Sequence, residues 1–300
     1  MKSFTGFVDK QAKEIAEAVV LNKEEKDLCA GDQGLMFGYA TNEWDNEILF
    51  PLTHYLATKL CERLAECRKK KIITWLGPDC KSQITCEYKK ENEMVIPLRV
   101  HNVTISTQHD KDIPLDTIRK EILEKVIKAV IPAKYLDEKT MYFINPSSSF
   151  TVGGPKADAG LTGRKIIVDT YGVWAPHGGG AFSGKDPTKV DRTAAYYCRY
   201  VAKNLIYHGL CRRVLVQVSY AIGRKDPLSI YVNTYGTAKN GLTDQDIEKI
   251  VLKNFNFRPG NMIQELKLRR PIYRKTASFC HFGRMDPDFT WEQKKLDFKL

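Results

Sequence analysis

The sequence predicts an α+β protein made of two similar units, each an antiparallel sheet with helices packed on one face. The first observation is an order of strand, helix, hairpin and helix that occurs twice. The two copies lie about 130 residues apart, counting from Leu35 to Ile166 and from Gln83 to Arg213. The second is the period of the apolar residues, which fits helices in some segments and alternating strands in others. We therefore expect an internal structural duplication, although the residues of the copies are barely alike.

The elements of each unit follow from proline, capping residues and apolar spacing. Pro51 suits the first turn of a helix, and Asp116 is expected to cap another helix that Pro132 ends. Thr243 and Asp246 fit a capping box at a third helix start. The predicted ranges are a strand over 35–41, a helix over 51–70, hairpin strands over 83–89 and 94–108, a helix over 116–130, a strand over 166–171, a helix over 188–207, strands over 214–220 and 228–235, and a helix over 243–255.

The bulk properties are typical of a soluble cytoplasmic protein. The 300 residues suffice for two domains with their own cores, and no run of about 18 apolar residues could cross a membrane. The N-terminus lacks the apolar core of a secretion signal. The eight cysteines form no C-x-x-C pair, so we expect reduced thiols and no zinc site. We expect a cytoplasmic location and no membrane partner.

The net charge of +11 raises the question of a nucleic-acid partner. The basic residues are spread along the chain and are not regularly interleaved with aromatic residues. Scattered lysines of this kind usually line a solvated face, whereas nucleic-acid-binding surfaces gather them in a patch or stripe. We therefore expect no nucleic-acid partner.

The most informative stretch runs from Gly153 to Arg192, where two glycine-rich loops flank a short apolar run. Glycines allow backbone amides to approach a ligand closely, and cations beside them favour a polyphosphate. The cations are Arg164, Lys165, Lys185 and Lys189, and the acids among them are Asp158, Asp186 and Asp191. Carboxylates placed among phosphate-binding cations could share a divalent metal with the phosphate. The stretch predicts a site for a nucleotide triphosphate.

Two other interpretations of these loops are weaker. Gly179 to Lys185 satisfies the pattern G-x-x-x-x-G-K of a P-loop, but Asp186 stands where that motif needs Ser or Thr. A P-loop must also follow a strand directly, and here Trp174, Pro176 and three glycines intervene. Flexible surface turns rarely collect four cations and three acids among so many glycines.

Three strings in the chain resemble the S-adenosylmethionine synthetase (methionine adenosyltransferase) family. They are Ala30 to Ala40 (AGDQGLMFGYA), Gly153 to Gly172, and Gly178 to Asp186 continuing to Asp191. The resemblance covers about 30–291. It implies an N-terminal remnant over 1–26, a central domain over 27–150 and a C-terminal domain over 151–300.

The resemblance also implies a reaction between ATP and L-methionine, with Mg²⁺ and K⁺ as cofactors. The methionine sulfur attacks the 5′ carbon of ATP and expels the triphosphate, which is then cleaved to pyrophosphate and phosphate. A neutral thioether has no proton to lose, so no Ser-His-Asp or Cys-His device is needed. Cations and metal placed where negative charge grows would carry the catalysis.

For single residues, the resemblance implies a site built mainly from the two loops. Arg164, Lys165 and Lys185 are the expected catalytic cations. The expected ATP contacts are Asp79, Lys81, Ser147, Phe150, Asp158, Arg164, Lys165, Ala181, Lys185 and Lys189. The expected methionine contacts are Gln11, Asp158 and Lys189, and the expected magnesium ligand is Asp191.

Local structural roles compete with some of these assignments. Asp32 could shape the turn before Leu35, and Asp79 could hold the bend beside Pro78. Lys185 and Lys189 flank a helix start, which is an unfavourable place for cations unless an anion is bound. A functional role is therefore favoured at the two lysines.

The sequence departs from the family at several positions. Family members carry a further N-terminal domain with a Gly-His-Pro-Asp-Lys motif, and no His-Pro dipeptide occurs in these 300 residues. Ser148 and Ser149 replace a usual Gly-Arg, and Cys80 replaces a usual Ser. We expect that this polypeptide alone cannot synthesise S-adenosylmethionine.

Two interpretations remain open at this point. In the first, the protein is a synthetase and this sequence is a shortened product or gene model. In the second, it is a non-catalytic relative that binds nucleotide or pairs with an intact subunit. Family active sites lie between two subunits, so we expect either a homo-oligomer or pairing with a full-length paralogue.

Overall fold

The computed structural model describes residues 12–299, which form seven helices and six strands. The helices are α1 (Lys13–Val19), α2 (Leu52–Lys69), α3 (Leu115–Ile122), α4 (Lys128–Val130), α5 (Val190–Tyr207), α6 (Asp244–Asn254) and α7 (Pro259–Glu265). The strands are β1 (Gly34–Thr41), β2 (Leu76–Glu91), β3 (Met94–His109), β4 (Met141–Ile144), β5 (Arg213–Tyr220) and β6 (Ser229–Asn233). Within this part of the chain, no helix is both long and apolar enough to span a membrane.

The strands form two three-stranded sheets, which confirms the α+β class. One sheet has the order β1-β5-β6 and is antiparallel throughout. The other has the order β2-β3-β4, in which the long hairpin β2-β3 is antiparallel and β4 pairs parallel with β3. Both predicted hairpins are confirmed, whereas β4 was not predicted.

The strand predicted over Ile166 to Tyr171 is wrong. This segment forms helical turns, in which Asp169 N–H donates to the Lys165 carbonyl and Gly172 N–H donates to the Ile167 carbonyl. Its apolar side chains are not suited to a central strand, since Val168 is 52% exposed. The place beside β5 is taken instead by β1, so the first strand of the first unit completes the sheet of the second.

Helix α5 lies at the centre of the larger core. Sixteen of its 18 residues are buried, because β1, β5 and the C-terminal segment pack around it. The approach of β1 is especially close at Gly38, where an added methyl group would lie 2.0 Å from the Cys198 carbonyl carbon. Only glycine permits this contact between a strand and a helix backbone.

The smaller core lies between the second sheet and helices α2 and α3. Its α2 contribution is a stripe of buried leucines four residues apart, at Leu52, Leu56, Leu60 and Leu64. The predicted cap of α3 is wrong, because the residue before its first turn is Pro114 and Asp116 makes no capping hydrogen bond. The capping box of α6, between Thr243 and Asp246, is confirmed.

Candidate functional site

A half-open cavity lies between α2, the β2-β3 hairpin and the segment after the first glycine-rich loop. Its volume is about 630 Å³, which is within the usual range for small-molecule sites. Two predicted cations, Lys81 on β2 and Lys165, line it together. The polar side chains of Gln83, Thr104 and Ser106 complete the strand side of the wall. The arrangement offers positive charge and hydrogen-bonding groups around one cavity.

The first glycine-rich loop is attached to β2 through Asp79. Its Oδ2 accepts a hydrogen bond from Gly154 N–H at 2.8 Å. The neighbouring Gln108 side chain accepts from Asp79 N–H at 3.4 Å and donates to the Thr151 carbonyl at 3.2 Å. Asp79 therefore holds the loop in place, which is the local role that competes with direct ligand contact.

The segment that carries Lys165 is held from the other side by helix α2. His54 Nε2 donates to the Val168 carbonyl over 2.9 Å, since a carbonyl can only accept. Burial lowers the pKa of His54, which keeps its imidazole neutral near pH 7. The C-terminal segment adds a second anchor, because His281 N–H donates to the Asp169 carbonyl at 3.1 Å. These contacts fix the backbone beside Lys165.

The second glycine-rich loop ends at the N-terminus of α5, where Asp191 lies in the first helical turn. Lys185 Nζ forms an ion pair with Asp191 Oδ2, and both groups are largely buried. Gly180 packs on the same carboxylate, since an added methyl group there would lie 2.2 Å from Asp191 Cγ. Lys189 is the residue before the first turn of α5 and its stem packs against Gly31. Lys185 and Asp191 are thus brought together, and Lys189 precedes the same helix start with its stem on Gly31.

The two loops touch each other at one point. A methyl group added at Gly163 would lie 2.8 Å from Ala181 Cβ. However, the Asp191 end of the site opens on a separate hollow of about 10 Å³, which has room for at most about one water molecule. This hollow shares no lining residue with the large cavity. Lys81 and Lys165 therefore line the large cavity, whereas Lys185 and Lys189 lie at the N-terminus of α5, outside its lining.

The remaining predicted contacts are exposed or half-buried. Asp158 and Arg164 are exposed, and the Arg164 guanidinium donates only to the Ala159 carbonyl, at 3.3 Å, among the described contacts. Ser147 is exposed in the turn after β4. Phe150 is half-buried, with its N–H donating to His109 Nε2 at 3.0 Å. Gln11 lies outside the described residues.

The sequence matches two family profiles that together cover most of the chain. The central domain of S-adenosylmethionine synthetase matches residues 27–150. The C-terminal domain of S-adenosylmethionine synthetase matches residues 152–293. The chain belongs to the S-adenosylmethionine synthetase family. The two loops and the cavity described above lie within these matched ranges.

The carboxylates of this S-adenosylmethionine synthetase relative fit a magnesium ion only in part. Among residues 12–299, no group of three or more His, Cys, Asp or Glu side chains could hold a metal. Magnesium is often bound through one or two carboxylates, with phosphate and water oxygens as the other ligands. Asp191, the predicted magnesium ligand, is a single carboxylate and is paired with Lys185 in this structure. The residues described offer no acidic cluster for K⁺.

Several residues in the wall of the synthetase-family cavity were not predicted. His54 reaches the cavity from α2, and Phe279 and Cys280 reach it from the C-terminal segment. Nothing in their local sequence indicates a site. Ser148 was singled out because it replaces a family glycine, and its φ of 72° lies in the left-handed region that favours glycine. Ser148 thus takes a backbone conformation that glycine adopts without strain.

Proposed function

We propose that this chain takes part in S-adenosylmethionine synthesis by binding ATP and L-methionine in a site that its two glycine-rich loops help to form. In this reaction the methionine sulfur forms a bond to the 5′ carbon of ATP. The bond from that carbon to oxygen breaks, and the triphosphate leaves with the electron pair. The family membership supports the reaction class, and the positions of the cations support the binding mode.

The observation that carries the proposal is the pairing of Lys81 and Lys165 in one cavity of about 630 Å³. These lysines come from different family domains, residues 27–150 and 152–293, and face the same space. Cations that lie where negative charge grows stabilise the charge on a departing triphosphate. Lys81 and Lys165 would therefore bind the phosphates more tightly as the leaving group separates.

The cations at the N-terminus of α5 would act further along the triphosphate. The charge of Lys185 is balanced by its ion pair with Asp191, which keeps the lysine beside the loop. A bound phosphate would compete for Lys185, which frees the Asp191 carboxylate for a magnesium ion. Magnesium would supply charge neutralisation between phosphate oxygens. Gln11, Asp158 and Lys189 remain the proposed methionine contacts.

A second subunit is part of the proposal. Strands of both sheets carry exposed apolar side chains, which a partner subunit could cover. They are Leu35 on β1, Leu98 on β3, Met141 and Phe143 on β4, and Tyr231 on β6. A homo-oligomer or a full-length paralogue would cover such side chains. A full-length paralogue would also supply the Gly-His-Pro-Asp-Lys motif that these 300 residues lack.

Complementation tests this function. An intact family subunit, inactivated at its own counterpart of Lys165, is mixed with the present chain, and S-adenosylmethionine formed from ATP and methionine is measured. We expect the mixture to be active and each component alone to be inactive. Lys165→Met in the present chain should abolish the restored activity.

Lys139→Met is the matched control, because Lys139 is equally exposed and does not line the cavity. This variant should restore activity as the unchanged chain does. A mixture that forms a complex but no product would contradict the catalytic proposal and favour a non-catalytic binding partner.

A further inference from the structure

Two cysteine thiols lie side by side in the wall of the large cavity. Cys61 is on α2 and Cys80 is on β2, and both are free and partly exposed. The Ser82 hydroxyl oxygen lies 3.1 Å from Cys61 Sγ, and Cys80 lies two residues before Ser82 on β2, so both side chains leave the strand on the face toward Cys61. Both also line a neighbouring cavity of about 240 Å³, whose wall includes Arg68 and Lys69. The thiol pair is therefore reached from two sides, and each side carries cations.

The surroundings make the two thiols unequal. The hydroxyl of Ser82 donates to the Ala57 carbonyl at 2.6 Å, and its oxygen lies 3.1 Å from Cys61 Sγ. The interaction with Cys80 lowers the pKa of the Cys61 thiol, and the same interaction raises the pKa of Cys80. Cys61 is therefore the thiol that ionises more readily and Cys80 the one that stays protonated, which is the order of an attacking and a resolving cysteine.

The other cysteines lack this combination. Cys280 also lines the large cavity, but it is buried and its burial raises the pKa to about 12. Cys86, on the same strand as Cys80, has its pKa raised to about 12 by burial and lines neither cavity. Thiols held in the protonated form react slowly with oxidants.

We propose that Cys61 and Cys80 form a peroxide-sensitive dithiol that is oxidised reversibly to a disulfide in the wall of the cavity. The Cys61 thiolate attacks a peroxide oxygen, so that a sulfur–oxygen bond forms, the oxygen–oxygen bond breaks and hydroxide leaves. The Cys80 sulfur then attacks the Cys61 sulfur, which forms the disulfide and expels the hydroxyl group as water with the thiol proton. Two thiols and one hydrogen peroxide give one disulfide and two waters.

The disulfide would affect the cavity through Lys81, which directly follows Cys80. A covalent link from β2 to α2 would fix the strand at that point and draw its backbone toward the helix. This consequence rests on the proposed function of Lys81, whereas the oxidation itself does not.

Mass spectrometry of alkylated peptides tests the proposal on the full chain. After treatment with stoichiometric hydrogen peroxide, we expect a linked Cys61–Cys80 peptide that dithiothreitol releases. Cys61 should be oxidised at least roughly tenfold faster than Cys86, since only the thiolate attacks peroxide. Cys80→Ser should leave a sulfenic acid on Cys61 that dimedone traps, and Cys61→Ser should leave Cys80 reduced.

Cys86→Ser is the control variant and should form the same linked peptide. Equal oxidation of Cys61 and Cys86, or no linked peptide in the folded unchanged chain, would overturn the proposal. Because this measurement involves no nucleotide, its failure is separate from failure of the proposed function.

Discussion

Glu43 holds the first turn of helix α2 from outside the helix. Its Oε1 accepts hydrogen bonds from Leu52 N–H at 2.8 Å and from the Tyr88 hydroxyl at 3.0 Å. The side chain is buried, and this burial raises its pKa from the ordinary 4.5 to about 7. Between pH 4.5 and 7, the Glu43 carboxyl therefore stays protonated in the folded protein but is ionised in the unfolded chain. The stability that this proton contributes is present below pH 4.5 and is lost as the pH rises through 7.

Glu43→Gln should raise the free energy of unfolding by about 1–3 kcal/mol at pH 8, because the amide keeps an acceptor for Leu52 and carries no buried charge. The gain should vanish near pH 4.5, where the native carboxyl is neutral in both states. Urea unfolding at several pH values measures this. Glu47→Gln, at an exposed acid, should show no pH-dependent gain. A gain for Glu43→Gln that does not depend on pH would contradict this account.

At the scale of single site residues, the sequence predicted the charged groups better than their partners. Lys165 was found because cations among glycines are a recognisable pattern. His54 and Phe279 were missed, since they reach the cavity from elements that carry no such pattern. The Asp79 contact to Gly154 depends on a fold that joins residues 75 positions apart, which local sequence does not encode.

Among the elements, those with a strong period were predicted well. Helix α2 was placed by its leucine spacing, and β5 by its alternation. Ile166 to Tyr171 was misread, because three consecutive apolar residues in a buried strand and in a helical turn look alike. Strand β4 was missed because it has only four residues, two of which are exposed apolar side chains. The predicted duplication is wrong at the first strand of the second unit. The place of that strand beside β5 is taken by β1, which belongs to the first unit.

The contact between β1 and α5 gives a direct test at this scale. Gly38→Ala places a methyl group 2.0 Å from a backbone carbon of α5, and neither backbone can retreat inside the core. We expect a loss of about 3 kcal/mol or more in the free energy of unfolding. Thermal unfolding followed by circular dichroism measures it.

Gly160→Ala is the matched control, because nothing lies within 4 Å of the added methyl group. Its free energy of unfolding should stay within about 0.5 kcal/mol of the unchanged chain. Similar stabilities for the two variants would mean that β1 does not pack on α5 as described.

At the scale of the whole molecule, a buried charge cluster ties the C-terminal segment to the central helix and to β1. Glu292 accepts from Arg199 Nη2 at 2.8 Å and from Lys203 Nζ at 2.9 Å, and all three side chains are almost fully buried. Arg199 also donates to the carbonyls of Tyr39 and Leu49. Burial lowers the pKa of Lys203, and the negative charge of Glu292 raises it. Burial is the larger effect, so the pKa is about 8. No pattern in the sequence predicted this cluster.

Glu292→Gln should reduce the free energy of unfolding by roughly 3–5 kcal/mol, because Arg199 and Lys203 lose their only carboxylate partner among the described contacts. Glu124→Gln is the control, since the Glu124–Lys128 pair is half exposed and worth less than about 1 kcal/mol. Guanidinium unfolding distinguishes the two. An equal, small loss for both variants would show that the cluster is not a structural tie.

The most direct test of the central claim is calorimetric titration of the chain with a non-hydrolysable ATP analogue and Mg²⁺, alone and beside an intact family subunit. Binding heat is predicted in at least one of these mixtures, with the affinity reduced roughly tenfold or more by Lys165→Met and unchanged by Lys139→Met. The absence of binding heat in both mixtures, or equal affinities for the unchanged chain and Lys165→Met, would contradict the assignment of the cavity to the triphosphate.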